Sequence, residues 1–388
     1  MLSNRRTFLQ LAGSLALVGC GSSDFSPNFG SGGSGGSTIT LDPAAKAAQL
    51  EADVAVIQAQ AIAPGVTCGI WTPTSSWVRT FGRATVNPDT ALTEEHVYSW
   101  RSATKSFAVT LILQMVQGKQ IRLEDPVSRF VPGVPNGDRI TLANLADMSS
   151  GLFEYTKTQE FIDLLSTDPT RHFDVQEFLV PALAHGVHFE AGSQYEYCNT
   201  NTLLLGLVVE AVARQPFATV LQNQILNPLG LAHTYFLDGP DRPAPATEGY
   251  IFDAGNFIDI QVSHSGLWAA GAMAGTLADA RTWAGVLASG SLITPQLQEL
   301  RKQGRPAVNG PIYDTYGLGM GQVQGWYGHT GEGAGYAVGL FGEPTSGSQI
   351  VILMNASNND THDEPLRLLR RFLTTLGWPI PTPADARP

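Results

Sequence analysis

Two runs near the amino end, 65–72 and 77–82, are rich in β-branched and aromatic residues, and Pro73-Thr74-Ser75-Ser76 lies between them. That pattern predicts a β-hairpin. The far end repeats it: 336–341 and 349–354 flank the turn-forming stretch Gly342-Glu343-Pro344-Thr345-Ser346-Gly347. Between the hairpins the apolar spacing turns helical, with candidates at 142–147, 175–185, 202–214, 218–223 and 278–289 separated by Gly and Pro breaks. A helix over 42–61 precedes the first hairpin, and an amphipathic helix over about 363–376 closes the chain. The run 107–116 is apolar on every side, as in a helix packed in the middle of a domain. Strands at both ends around a helical middle predict an α+β fold, an α/β sandwich. One antiparallel sheet built from N- and C-terminal segments is flanked by helices, and a mostly helical lobe is inserted. The domain is expected over 42–380, with the sheet lobe at about 42–105 and 310–380 and the helical lobe at about 106–309.

Composition narrows the class. The chain has 388 residues, 43% hydrophobic and 15% charged, with a formal net charge of -11. That balance argues against nucleic acid and against a polybasic membrane surface as partners. At the start, Asn4-Arg5-Arg6-Thr7-Phe8-Leu9 resembles a twin-arginine export signal, and the apolar segment 8–18 is too short to span a bilayer. Leu17-Val18-Gly19-Cys20 looks like a bacterial lipoprotein box, with Cys20 lipidated as the mature amino terminus; the alternative is an ordinary signal peptide with a chance cysteine. On this reading 1–20 is an export signal, 21–41 is a flexible tether around Gly30-Ser31-Gly32-Gly33-Ser34-Gly35-Gly36-Ser37, and the protein is exported to the cell envelope or periplasm, held by a lipid anchor. Cys68 and Cys198 remain, and nothing in their spacing requires a bridge, so both are expected free.

Three short motifs carry candidate chemistry. Ser102 and Lys105 form Ser-x-x-Lys just before the buried helix, three residues apart and so on one helical face. A serine needs a base, and a lysine serves only where desolvation lowers its pKa; the alternative is a helix-capping serine with a surface lysine. Tyr197 and Asn199 form Tyr-x-Asn, pointing the same way if that loop is extended. The phenol can relay a proton, and the amide can hold a substrate carbonyl or the lysine, unless these are a loop tyrosine and a helix cap. His329-Thr330-Gly331 precedes the carboxy-terminal strands, where His329 would set a polar, protonatable ring beside a reacting carbonyl, or else occupy a hairpin turn.

Ser102-x-x-Lys105, Tyr197-x-Asn199 and His329-Thr330-Gly331, in that order, resemble the penicillin-recognising serine hydrolases, in the branch with D-alanyl-D-alanine carboxypeptidases, class C β-lactamase relatives and related esterases. The resemblance implies catalysis by Ser102, Lys105 and Tyr197 through an acyl-enzyme. It also implies substrate contacts from Asn199, His329, Thr330 and Gly331, and an oxyanion hole from the backbone N–H groups of Ser102 and Glu332. No cofactor and no metal are implied, and oligomeric state is left open. The leading expectation is a D-alanyl-D-alanine carboxypeptidase acting on peptidoglycan stem peptides. The alternatives are an esterase, a weak β-lactamase of the same family, or a non-catalytic peptidoglycan-binding lipoprotein.

The departures bear on substrate. No Lys or Arg lies between Arg305 and Arg367 to hold a terminal carboxylate, Glu332 stands where Ser or Thr is usual, and Met148 where relatives often have His before Ser-Gly-Leu. An unpaired Glu332 would repel an anionic substrate. Three decoys are set aside: Gly32-Gly33-Ser34-Gly35-Gly36 has no strand feeding it, His185, His188 and Glu190 sit in a loop rather than a zinc site, and His362 with Asp363 reads as a solvated helix start.

Overall fold

A computed structural model describes residues 41–308, 310–357 and 363–379. Residues 1–40, which carry the expected export signal, Cys20 and all but the last residue of the expected tether, lie outside the described residues, as does His362. In chain order the strands are β1 (Gly65–Trp71), β2 (Ser76–Thr85), β3 (Thr90–Ala91), β4 (Tyr98–Ser99), β5 (Thr234–Phe236), β6 (Tyr250–Asp253), β7 (Asn256–Asp259), β8 (Met273–Gly275), β9 (Arg305–Pro306), β10 (Thr315–Gly317), β11 (Met320–Val323), β12 (Trp326–Gly333), β13 (Tyr336–Gly342) and β14 (Gln349–Met354). The helices that matter below are α1 (Ala47–Ala61), α2 (Thr104–Gln117), α3 (Asn199–Ala213), α4 (Leu277–Ser289), α5 (Pro295–Lys302) and α6 (Glu364–Thr375).

Among the described residues, nine strands make one sheet in the order β3-β2-β1-β14-β13-β12-β11-β10-β9, with neighbouring strands antiparallel throughout. The two hairpins expected from the sequence meet at the β1–β14 pair, where Cys68 lies opposite Ile352. Both faces of the central strands are covered, which is why they read as continuous apolar runs. On one face Ile350, Ile352 and Met354 join Val66 and Ile70 under α1 and α6; on the other, Val351 and Leu353 join the core of the helical lobe.

Several elements differ from the sequence reading. The sheet takes up β9, upstream of the boundary expected at 310, and β10 to β12 extend it where the apolar pattern alone gave no strand. The β12 segment is rich in glycine, and cross-strand pairing to β13 makes it a strand. Helix α3 starts at Asn199 rather than 202, so Tyr197-x-Asn199 is not one extended loop. Helix α1 starts at Ala47; Asp42 instead accepts hydrogen bonds from Ala45 N–H and the Ser75 hydroxyl. Helix α5 and the helix Gln159–Thr167 were not expected. Both begin on a threonine whose hydroxyl accepts a backbone N–H, Thr294 from Leu297 and Thr158 from Phe161.

What positions the site is the packing of α2. Eleven of its residues are buried. Phe107 stacks on Trp283 of α4 with ring centroids 3.7 Å apart, and Trp283 Nε1 donates to the Ser106 hydroxyl at 2.9 Å. Arg301 of α5, 1% exposed, donates from Nη2 to Ser106 O and from Nε to Leu318 O, both at 3.1 Å. The first turn of α2 is therefore tied to the helix behind it and to the loop before β11.

Candidate active site

Ser102 lies in the short 3₁₀ turn Arg101–Ala103 that leads into α2. A strand on the helical-lobe side fixes that turn: Trp100 N–H donates to Met273 O at 2.8 Å, and Met273 N–H donates to Thr104 Oγ1 at 3.0 Å. One turn further on, Lys105 Nζ donates to Ser102 Oγ at 2.9 Å and to Ala270 O at 2.9 Å. Lys105 is fully buried, and that burial lowers its pKa to about 7, with Glu154 and Cys198 opposing the shift. Near neutrality a substantial fraction of the amine is uncharged, so its lone pair can take the serine proton.

Tyr197 comes from the helical lobe. Lys105 Nζ is 5.1 Å from its ring centroid, and its hydroxyl is buried. Burial, then Tyr313, pushes the phenol's pKa well up, while the Ser102 hydroxyl opposes the shift. Tyr197 is thus a neutral phenol at physiological pH, able to donate a proton but poorly able to abstract one. This divides the labour between the two groups: Lys105 is the group fit to serve as base.

The segment carrying Tyr197 is held from below. Glu154, 5% exposed, accepts the Asn199 N–H at 2.5 Å and the Thr156 N–H and hydroxyl at 3.1 and 3.0 Å. Its carboxylate thereby caps the amino end of α3, where an anion is favoured. Met148, in the place expected for His, accepts the Cys198 N–H and the Asn201 side-chain amide at its sulfur, both at 3.5 Å. Cys198 and Cys68 are free and buried. Asn199 is 6% exposed in the first turn of α3.

The third motif lies on β12. A Cβ on Gly331 would stand 2.0 Å from Trp100 O and 2.9 Å from Ser102 N, so only glycine lets this strand lie against the serine turn. Thr330 Oγ1 is 2.7 Å from the Tyr313 hydroxyl. His329 differs from the expectation of a protonatable ring facing a substrate. It is 0% exposed, with Nε2 2.9 Å from the Tyr316 hydroxyl and Nδ1 2.5 Å from Thr330 O. Burial, reinforced by Lys105, lowers its pKa to about 3, so the ring is neutral. Both ring nitrogens are thus within hydrogen-bond distance of groups of the protein itself. Glu332 is not an unpaired acid either: its carboxylate accepts the Asp363 N–H at 3.3 Å.

The structure thus brings the three motifs to one place, where the first turn of α2 meets β12 and the amino end of α3. Sequence reasoning missed Glu154, which a loop phrase conceals, and the tyrosine pair Tyr313 and Tyr316 that encloses His329. His185 and His188 serve elsewhere: His185 stacks on Phe153 at 4.1 Å, and His188 Nδ1 lies 3.6 Å from Glu196.

Comparison with known proteins agrees with this geometry. A family model described as Beta-lactamase matches residues 50–374. PbpX of Bacillus subtilis (strain 168) is 27% identical over 261 residues, and protein flp of Staphylococcus aureus (strain MRSA252) is 29% identical over 158 residues. The matches span 66% and 39% of this chain but only 62% and 30% of those relatives. A D-stereospecific amidohydrolase from Streptomyces sp. superposes with a TM-score of 0.72 at 25% identity, covering 85% of this chain and 98% of that one. The D-amino acid amidase from Ochrobactrum anthropi SV3 complexed with D-phenylalanine gives a TM-score of 0.75 at 22% identity, over 85% of this chain and 99% of that one. With the match running through all three motifs, the chain belongs to the Beta-lactamase family of serine hydrolases.

Proposed function

We propose that this protein hydrolyses amide bonds next to D-amino acid residues through an acyl-enzyme on Ser102, with peptidoglycan stem peptides ending in D-alanyl-D-alanine as the first substrate class. The observation that carries the chemistry is the 2.9 Å contact between Lys105 Nζ and Ser102 Oγ, made by an amine whose pKa is near 7. Ser102 Oγ attacks the carbonyl carbon as its proton passes to Lys105. The backbone N–H groups of Ser102 and Glu332 receive the developing oxyanion; loss of one such donor typically costs about 3 to 4 kcal/mol of barrier. On collapse, the proton held by Lys105 reaches the departing amine through the neutral Tyr197 phenol. Water then cleaves the ester by the same proton route, in reverse order. Asn199 and Thr330 are proposed to orient the substrate, and His329 to hold β12.

Support for the D-configured substrate comes from the D-stereospecific amidohydrolase among the similar structures. A second reading, an amidase or esterase for substrates without a free carboxylate, is favoured by the absence of any Lys or Arg from 306 to 366. The two separate in one assay of the full chain. Release of D-alanine from a D-alanyl-D-alanine peptide marks the first, and turnover of D-amino acid amides or p-nitrophenyl esters alone marks the second. Ser102→Ala should abolish covalent labelling by a fluorescent penicillin or an activated ester, and persistent labelling would refute the nucleophile assignment.

The acid limb of the acylation rate follows from Lys105. Its amine must be uncharged to accept a proton, so the rate should rise with pH through about 7. Glu154 raises the Lys105 pKa, and Glu154→Gln should therefore move this limb to lower pH. A limb that stays in place would show that Glu154 does not act on the base.

Export and lipidation at Cys20 belong to the same proposal, which puts the domain near its polymeric substrate. Cys20→Ala should shift the protein from the membrane fraction to the soluble fraction of the envelope; unchanged partition would exclude the anchor.

A further inference from the structure

The residue before the nucleophile is a buried arginine that the proposed chemistry does not use. Arg101 is 2% exposed and donates from Nη2 to Ala334 O at 2.7 Å, while its Nε and Nη1 have no hydrogen-bond partner. Its guanidinium lies 5.1 Å from the centroid of the Tyr336 ring, and Arg242 lies 5.0 Å from the same centroid. No carboxylate pairs with Arg101 among the described residues. His264, whose pKa is lowered by burial and then by Arg101 and Arg242, adds no counter-charge.

A charge so placed is costly, and an apolar side chain of similar volume would often serve stability better. Its single hydrogen bond reaches an unusual piece of backbone. Directly after Glu332, the turn from β12 to β13 runs through Gly333 (φ 120), Ala334 (φ 44) and Gly335 (φ 84), and Arg101 itself has φ 49. Ala334 and Arg101 are non-glycine residues in the left-handed region, a conformation that persists only where surroundings enforce it. Gly335 is held too: its N–H donates to Ser357 Oγ at 2.9 Å, and a Cβ there would meet Gly249 C at 2.4 Å. The Arg101–Ala334 contact thus links the residue before Ser102 to the second residue after Glu332, joining the two backbone segments proposed to bind the oxyanion.

We propose that Arg101 is a positioning residue that clamps the β12–β13 turn to the serine turn and so keeps the Ser102 and Glu332 N–H groups converged on one point. This rests on the serine hydrolase reading, and the experiment separates the two. The full chain and its Arg101→Ala and Arg101→Lys variants are mixed with a p-nitrophenyl ester in a stopped-flow instrument, and acylation rate and KM are measured, with folding followed by circular dichroism. If the wild-type chain is not acylated, the hydrolase reading itself fails before any variant is compared. If it is, Arg101→Ala should acylate about tenfold to hundredfold more slowly, less than the full effect of losing an oxyanion donor because the N–H is displaced rather than removed, with KM little changed. Arg101→Lys should recover part of that loss, and methylguanidinium should restore part of the rate to Arg101→Ala. Wild-type acylation rates in folded variants would overturn the proposal. So would a loss matched by the unfolded fraction and untouched by methylguanidinium, or failure of both variants to fold, since either makes Arg101 structural only.

Discussion

An amine stripped of water, one helical turn from a hydroxyl, is the constraint around which this site is built. In water Lys105 would be an ammonium at neutral pH and useless as a base. In the structure it is wholly buried, and the carbonyl of Ala270 and the hydroxyl of Ser102 are its hydrogen-bond acceptors. The adjustment is not burial alone. Glu154 pulls the pKa back up, so that it lies near 7 rather than further down. The balance needs a carboxylate close enough to be felt and committed elsewhere, and the Asn199 and Thr156 N–H groups occupy it.

The rest of the fold serves to keep that amine dry and that hydroxyl aimed. Helix α2 is pinned by Trp283 and Arg301, both converging on Ser106, the residue next to Lys105. Strand β12 comes flush against the serine turn because Gly331 has no side chain, and it is backed by a buried tyrosine–histidine pair rather than by a cation. A neutral His329 matters electrostatically. A second positive charge there would lower the Lys105 pKa further and compete for any anion at the site.

The parts legible in the sequence were those decided locally. Strands β1, β13 and β14 announce themselves because both faces of the sheet are covered there, so their residues are almost all apolar, whereas β2 has largely exposed positions and is marked instead by its β-branched and aromatic residues. Ser102, Lys105, Tyr197 and Gly331 stand out through spacing and order. What stayed hidden depends on residues far apart in the chain. Strand β12 reads as Gly-His-Thr-Gly-Glu-Gly, a turn by composition, and becomes a strand by pairing with β13. Glu154 caps a helix that begins 45 residues later. The state of His329 depends on Tyr313 and Tyr316, which look like ordinary loop and strand residues until the sheet folds them over it. Arg101, beside the serine, looks like a surface residue until the β12–β13 turn is seen to close on it.

The account stands or falls on the protonation of one side chain, which can be read directly. The chain has five lysines, Lys46, Lys105, Lys119, Lys157 and Lys302. With carbon-13 at the lysine Cε positions, a pH titration followed by heteronuclear NMR resolves each one, and Lys105→Arg assigns the signal of interest. The account predicts that the Lys105 signal titrates with a midpoint near 7. A midpoint at the ordinary lysine value of about 10.4 would show a charged amine beside Ser102 and contradict the proposed mechanism.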